Sequence, residues 1–313
     1  MTYLKASALH LIYSMMLLSS PSIADTITFG FEPNQNPPGF TGPLGGMTHQ
    51  TLNINTLPSI STEKSLSGTS SLKSYVHIYE SPVPYRSQAL VNGYQTLIDI
   101  NRGANTKSYW VGFAVWIPEW YPRRDPIGGM EDQIHEWHGS PGPDYEWGCA
   151  GGNPIEFYLI PDSPTEGRIK LMLQGGVDLT GCDPADPTTQ PSRVYQLINN
   201  NVAPYLVGQW NFIVYNVKFD YTVGFFKLWV NGTQRINFTG ATHSEGSGSP
   251  YPIWGFYGGW KDRITNDPEI VERTFYFDDV RITDDPSASY DSVAPQIAPV
   301  RELPRPTGLE VLQ

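Results

Sequence analysis

Basic residues are scarce in this 313-residue chain: 20 Lys and Arg stand against 31 Asp and Glu, a formal net charge of −11. A phosphate backbone attracts a basic field, so nucleic acid is not an expected partner, and a densely sulfated glycan is disfavoured for the same reason. A lightly charged polyuronate remains compatible, provided a few cations are focused in one cleft. Long apolar runs are also lacking. Ala8 to Leu18 is mostly apolar but broken by His10 and Ser14, and it falls short of the roughly 20 residues of a membrane span. With Lys5 ahead of it and Ser22-Ile23-Ala24 behind, it reads as a removable leader over residues 1–24, cleaved before Asp25. The expected product is secreted or periplasmic, with no membrane partner. Cysteine is nearly absent. Cys149 and Cys182 both follow the leader, and an even count in an exported chain is expected to form a disulfide.

No stretch keeps helical periodicity beyond about two turns, and no segment repeats. What the chain does have is 30 Gly, 28 Pro and many short apolar stretches between them. Strands are expected at Thr26–Phe31, Ser71–Tyr79, Tyr109–Ile117, Ile155–Ile160, Arg168–Leu173, Trp210–Phe219, Gly224–Val230, Gln234–Phe238 and Arg273–Ile282. Asn231-Gly232 between two of them is a hairpin signal. The nearly unbroken apolar run Tyr109–Ile117 predicts a strand covered on both faces. The fold class is therefore all-β: one jelly-roll sandwich of two antiparallel sheets, concanavalin-like, over residues 25–284. From Ser287 the chain turns Pro-, Ser- and Ala-rich, so residues 285–313 read as a tail. Nine Trp, 18 Tyr and 13 Phe supply core and sugar-stacking surface.

Two segments carry the chemistry. In Asp132-Gln133-Ile134-His135-Glu136-Trp137-His138-Gly139, alternation places Asp132, Ile134, Glu136 and His138 on one face and Gln133, His135 and Trp137 on the other. In Tyr251-Pro252-Ile253-Trp254-Gly255-Phe256-Tyr257, the face with Trp254 and Phe256 is the expected core, so Tyr257 should look into the solvated side. A His and a Tyr over one sugar ring can take a proton from carbon and return one to a departing oxygen.

These segments resemble the jelly-roll polysaccharide lyases of the heparin lyase I and glucuronan lyase type, which are similar in architecture to alginate lyases. Pro84-Tyr85-Arg86-Ser87-Gln88-Ala89-Leu90 resembles the family's Arg-x-Glu-Leu strand, Glu136-Trp137-His138-Gly139 its Gln-Trp-His-Gly stretch, and Tyr251–Tyr257 its Tyr-Phe-Lys-x-Gly-x-Tyr strand. Lys227–Gly232 and Tyr276–Arg281 add a hairpin and a closing strand of the same kind. The resemblance spans roughly residues 25–284. It implies β-elimination at a uronate, with His138 as base or carboxylate-side partner, Tyr257 as acid, and Arg86 on the carboxylate. If proton and leaving oxygen share a ring face, Tyr257 serves as both base and acid. Glu136 or Gln133 would also engage the carboxylate. Gln133-Ile134-His135 matches the Gln-Ile-His of alginate lyases, which makes His135 a second candidate beside His138. Three positions differ from the family: Glu136 for Gln, Ile253 for Lys, and Gln88 for Glu.

Lys261 with Arg263, and Arg123 with Arg124, are candidate cations at the cleft rim. No organic cofactor is expected. Asp183, Asp186 and the Asp278-Asp279 pair have the chemistry for a structural calcium ion, but their spacing matches no tight loop, so no metal is assigned. A monomer acting on an acidic polysaccharide is expected. Two rivals remain: a non-catalytic carbohydrate-binding jelly roll, and a glycoside hydrolase. For the latter, Asp132 and Glu136 lie roughly 13 Å apart along a strand, outside the spacing that hydrolase carboxylates keep.

Overall fold

Alternation of apolar and polar residues builds two antiparallel sheets in the computed structural model, which describes residues 26–32, 47–49, 58–77, 85–91, 108–118, 131–139, 153–163, 165–176, 195–244, 250–258 and 272–296. In chain order the strands are β1 (Ile27–Phe29), β2 (Met47–His49), β3 (Ser59–Ser61), β4 (Ser71–His77), β5 (Tyr85–Val91), β6 (Tyr109–Ile117), β7 (Asp132–His138) and β8 (Ile155–Ser163). Then come β9 (Glu166–Gln174), β10 (Tyr195–Pro204), β11 (Gln209–Lys218), β12 (Gly224–Val230), β13 (Thr233–Gly240), β14 (Tyr251–Gly258), β15 (Glu272–Thr283) and a one-turn helix, α1 (Tyr290–Val293). One sheet has the order β13-β12-β11-β6-β15-β4-β3, with β1 added on β15; the other runs β10-β9-β8-β7-β14-β5-β2. The fold is the expected all-β jelly roll of two sheets.

Between the sheets lies an aromatic core. Phe113 on β6 touches the rings of His135, Phe157, Trp254 and Phe277 at centroid distances of 5.0 to 6.5 Å, reaching both sheets from one position. At one end of the sandwich a buried ion pair crosses between them, Arg273 Nε on β15 to Asp132 Oδ2 on β7 at 3.0 Å. Asn231 and Gly232 both take positive φ (49° and 77°), the conformation that a two-residue hairpin needs between β12 and β13.

The outer face of β6 is covered as its apolar sequence requires, and the cover comes from beyond Asp284. Val293 is fully buried, its carbonyl lies 1.9 Å from where a Cβ on Gly112 would sit, and Tyr290 packs edge-on against Trp229. The segment through Gln296, whose N–H donates to Asp279 Oδ2 at 2.7 Å, is thus packed structure rather than the start of a tail. Residues 1–24 and 297–313 lie outside the described residues, as do Cys149 and Cys182, and with them the leader, the distal tail and the disulfide.

Two irregularities of the second sheet bear on the site, one on β7 and one on β14. On β7, Gln133 pairs with Tyr158 and His135 with Phe157, so Ile134 and His135 together oppose one residue of β8. Such a bulge inverts the faces of the residues before it relative to those after it. On β14, Gly255 takes φ +129°, and a Cβ there would lie 2.2 Å from the Ser87 carbonyl oxygen and 2.8 Å from Gln88 Cα. Both contacts are backbone, so they do not yield cheaply. Gly255→Ala should therefore cost about 2–3 kcal/mol and lower Tm by several degrees in thermal unfolding. An unchanged Tm would show that β5 and β14 separate freely.

Candidate active site

The seven-stranded sheet presents one face to the core, and its opposite face is the candidate substrate cleft. Across the cleft face, backbone register lines up Arg86, Tyr257, Gln133, Tyr158 and Lys170 on β5, β14, β7, β8 and β9. Four strand spacings make this row roughly 19 Å long, enough to face several sugar rings. Tyr257 is half-buried, directly between Arg86 and Gln133. The side chain of Arg86 and the whole of Lys261 lie outside the described residues. Lys170 is held by Glu131 Oε2 at 2.6 Å, with its ammonium 5.2 Å from the Tyr158 ring centre.

A second row lies alongside. Ile253, Glu136, Glu156 and Met172 face one another on β14, β7, β8 and β9. Glu136 and Glu156 are both buried, and side-chain amides surround their oxygens. Gln133 Nε2 donates to Glu136 Oε2 at 2.7 Å, Asn153 Nδ2 bridges Glu136 Oε2 (2.5 Å) and Glu156 Oε1 (3.1 Å), and Gln174 Nε2 donates to Glu156 Oε2 at 3.0 Å. Gln88 Nε2 reaches Glu136 Oε1 at 3.4 Å. These bonds satisfy buried carboxylates and fix the Gln133 amide.

Gln133 and Tyr158 flank each other, yet the two phenols of the row are not equivalent. Burial pushes the Tyr158 hydroxyl far above the usual phenol range, and the charge and hydrogen bond of Glu156 push it the same way. Tyr158 is a fixed donor, unfit to take up a proton. Nothing in sequence reading singled out Glu156, Tyr158 or Asn153. The available signal was the alternation of Glu156 and Tyr158 with Ile155, Phe157 and Leu159.

The bulge corrects the faces expected on β7. Gln133, Glu136 and His138 share the cleft face, whereas Asp132 turns inward to Arg273. His135 is not a substrate ligand: it is fully buried, stacked on Trp254 at 4.8 Å. Its Nδ1 lies 2.7 Å from the Ile253 carbonyl oxygen, which only accepts, so Nδ1 carries the hydrogen. Nε2 then accepts from the Tyr215 hydroxyl at 2.7 Å, and the Tyr215 oxygen accepts from Trp137 Nε1 at 2.5 Å. His138 does face the cleft side, half-buried and stacked on Tyr251 at 5.1 Å. However, it sits opposite Tyr251, six residues along β14 from Tyr257, roughly 15–20 Å at a strand's rise. The two rings are on one face but cannot meet over one sugar; antiparallel register puts them at opposite ends of the strand pair.

The carboxylates that the sequence offered to calcium are also engaged. Asp278 Oδ2 accepts the Leu66 and Ser67 N–H groups at 2.7 and 3.0 Å, and Asp279 Oδ1 accepts Arg281 Nε at 2.8 Å. Asp183 and Asp186 lie outside the described residues.

The polysaccharide lyase family profile matches residues 41–281, well over half of the chain and the whole of this site. The chain belongs to the polysaccharide lyase family. Among solved structures, this lyase is similar to the endo-β-1,4-glucuronan lyase of the fungus Trichoderma reesei, with 18% identity over 84% of this chain and 97% of that one and a TM-score of 0.60. An alginate lyase from Klebsiella pneumoniae gives 11% identity over 70% and 83% of the two chains, at a TM-score of 0.44. Among curated proteins, none matches in sequence. The glucuronan lyase likeness, at that identity, bears on the fold of the lyase; the family match bears on its activity class.

The buried imidazole makes the stability of this lyase depend on pH. Burial pushes the His135 pKa down from 6.5 to about 3, against the opposing hydrogen bond to Ile253. A depressed pKa contributes stability that is present above 6.5 and lost as pH falls toward 3, at about 1.4 kcal/mol per pH unit. Asp278, whose carboxyl burial raises from 3.8 to about 6, acts in the opposite sense between those two values. Chemical denaturation from pH 7.5 to 4.5 should therefore show the loss as a difference: the gap between wild type and His135→Leu narrows by that slope as pH falls. A gap independent of pH would mean that the imidazole is not held neutral.

Proposed function

We propose that this polysaccharide lyase cleaves a uronate-containing chain by β-elimination, with Tyr257 as the proton carrier. The observation behind this reading is the cross-strand row in which Tyr257 stands between Arg86 and Gln133 on the cleft face. Elimination needs a group that neutralises the C6 carboxylate, because that acidifies the C5 proton, and a group that carries the proton. Arg86 stands at the register position for the first task and Tyr257 at that for the second, while Gln133, whose Nε2 already donates to Glu136 and Glu156, ties the row together. Tyr257, entering as the phenolate, takes the proton from C5 as the C4–C5 double bond forms and the C4–O4 bond breaks, and the phenol so formed gives that proton to O4, which restores the phenolate. This one-group route replaces the His138–Tyr257 pair, whose members are too far apart to share a ring. His138 instead lies several residues away, half-buried and stacked on the buried Tyr251.

The net charge of −11 and the likeness to a glucuronan lyase both favour a glucuronan- or alginate-like substrate over heparin. Export is part of the same reading: the leader over residues 1–24 delivers the protein outside the cytoplasm, where Cys149 and Cys182 pair.

Incubation with a panel of polyuronates should raise the ultraviolet absorbance of an unsaturated uronate, which neither hydrolysis nor binding produces. Tyr257→Phe should lower kcat by about 10²–10⁴, while His138→Ala, outside the reacting row, should cost less than about tenfold. A reversed order of these two variants would return the base role to His138.

A further inference from the structure

We infer that His135 is a positioning residue for the reacting row, holding Gln133 and Tyr257 in register through its bond to the Ile253 carbonyl; the inference rests on reading that row as the site of elimination. The bulge on β7 lies between Gln133 and His135, and the register of β14 against β7 slips over the same stretch, between Trp254 and Tyr257. Two neighbouring strands thus lose regular pairing just where Gln133 and Tyr257 must stay opposite each other. Irregular pairs are prone to slip, and a one-residue slip of either strand would send its side chain to the other face and part it from its partner. The His135 Nδ1–H···O bond ties the two strands together at the edge of this stretch, at 2.7 Å, from the last residue of the bulge on β7 to Ile253, one residue before the slip on β14 begins.

The bond has one direction and a fixed anchor. Trp137 Nε1–H donates to the Tyr215 oxygen, Tyr215 O–H donates to His135 Nε2, and His135 Nδ1–H donates to Ile253. Every member, Ile253 included, is 0% exposed, and Tyr215 belongs to β11 of the opposite sheet. The ring cannot flip without breaking two bonds, and Trp254, Phe113 and Phe157 wall it in at 4.8 to 5.6 Å. The lever from here to the cleft is short. Gln133 is two residues from His135, and Tyr257 four from Ile253. Neither His135 nor Tyr215 touches substrate in this arrangement, so both act through backbone placement. A misplacement of about 1 Å in a reacting group is enough to cost up to 10²-fold in rate.

The test compares His135→Leu, His135→Gln, whose amide can still donate to Ile253, and Ile282→Ala, a core variant on β15 chosen for a similar loss of Tm. With elimination followed by absorbance well below each Tm, His135→Leu should lose about 10- to 100-fold in kcat per folded molecule with KM within about twofold. His135→Gln should regain most of that loss, and Ile282→Ala should keep the wild-type kcat. Equal kcat for His135→Leu and Ile282→Ala would overturn the inference. If His135→Leu does not fold, Tyr215→Phe carries the test: kcat should fall about 3- to 10-fold, and an unchanged kcat would overturn it. Wild type that yields no unsaturated product from any polyuronate would sink the proposed function instead. Hydrogen exchange then decides the positioning role: amides of residues 253–258 should exchange faster in His135→Leu than in Ile282→Ala, and equal protection would refute it.

Discussion

A single line of hydrogen bonds, from the Trp137 indole through the Tyr215 hydroxyl and the His135 imidazole to the Ile253 carbonyl, crosses the interior of the sandwich. It places three polar side chains in an aromatic core, where an unmatched donor or acceptor would cost about 1–3 kcal/mol each. None of these bonding atoms is unmatched, because each group's donor meets an acceptor and the line ends on a main-chain oxygen. The apolar shell of Phe113, Phe157 and Trp254 then strengthens the bonds by excluding water. The line also does what packing alone does poorly: it sets one register between two strands that have lost regular pairing.

From that fixed register comes the division of labour on the cleft face. Cations are few in this chain, and the two within the cross-strand row, Arg86 and Lys170, stand at its ends, with Tyr257, Gln133 and Tyr158 between them. Carboxylates occupy the neighbouring row and are surrounded by Gln133, Asn153 and Gln174 amides. Tyr158 beside Glu156 is locked as a donor, whereas Tyr257 is paired with Arg86 and Gln133. In the proposed elimination, two phenols of identical chemistry take different roles according to what lies opposite them.

How much of this could be read from the sequence depended on whether a strand kept its period. β14 does, and its alternation correctly gave Trp254 and Phe256 to the core and Tyr257 to the cleft. β7 does not: an inserted residue puts Gln133 with Glu136 although period-two counting sets them on opposite faces, and no composition signal marks Ile134 as the extra residue. His138 was assigned the right face, but face says nothing about distance, and only antiparallel register shows that it lies at the far end from Tyr257. β10 escaped notice because Asn199-Asn200-Asn201 interrupts its pattern, and its pairing with β9 slips around that stretch, as suits an edge strand. The packing of residues 285–296 was hidden by their composition, since Ser, Ala and Pro suggest a linker until Val293 finds the gap above Gly112.

The same bulge removes the carboxylate pair that a hydrolase would draw from β7. A regular strand would have set Asp132 beside Glu136 on the cleft face. Here Asp132 is buried against Arg273, where the pair links the sheets and its removal would strand a buried charge. Glu156 takes the place opposite Glu136, but amide N–H groups hold oxygens of both carboxylates and the pair is buried. A hydrolase needs one carboxyl to hand a proton to the leaving oxygen and another to direct water. Elimination needs neither water nor a second carboxyl, only a neutralised uronate and one mobile proton. A half-buried phenol between an Arg position and an immobilised amide meets that smaller requirement, and the fold reaches it by turning one acid inward and tying down the others.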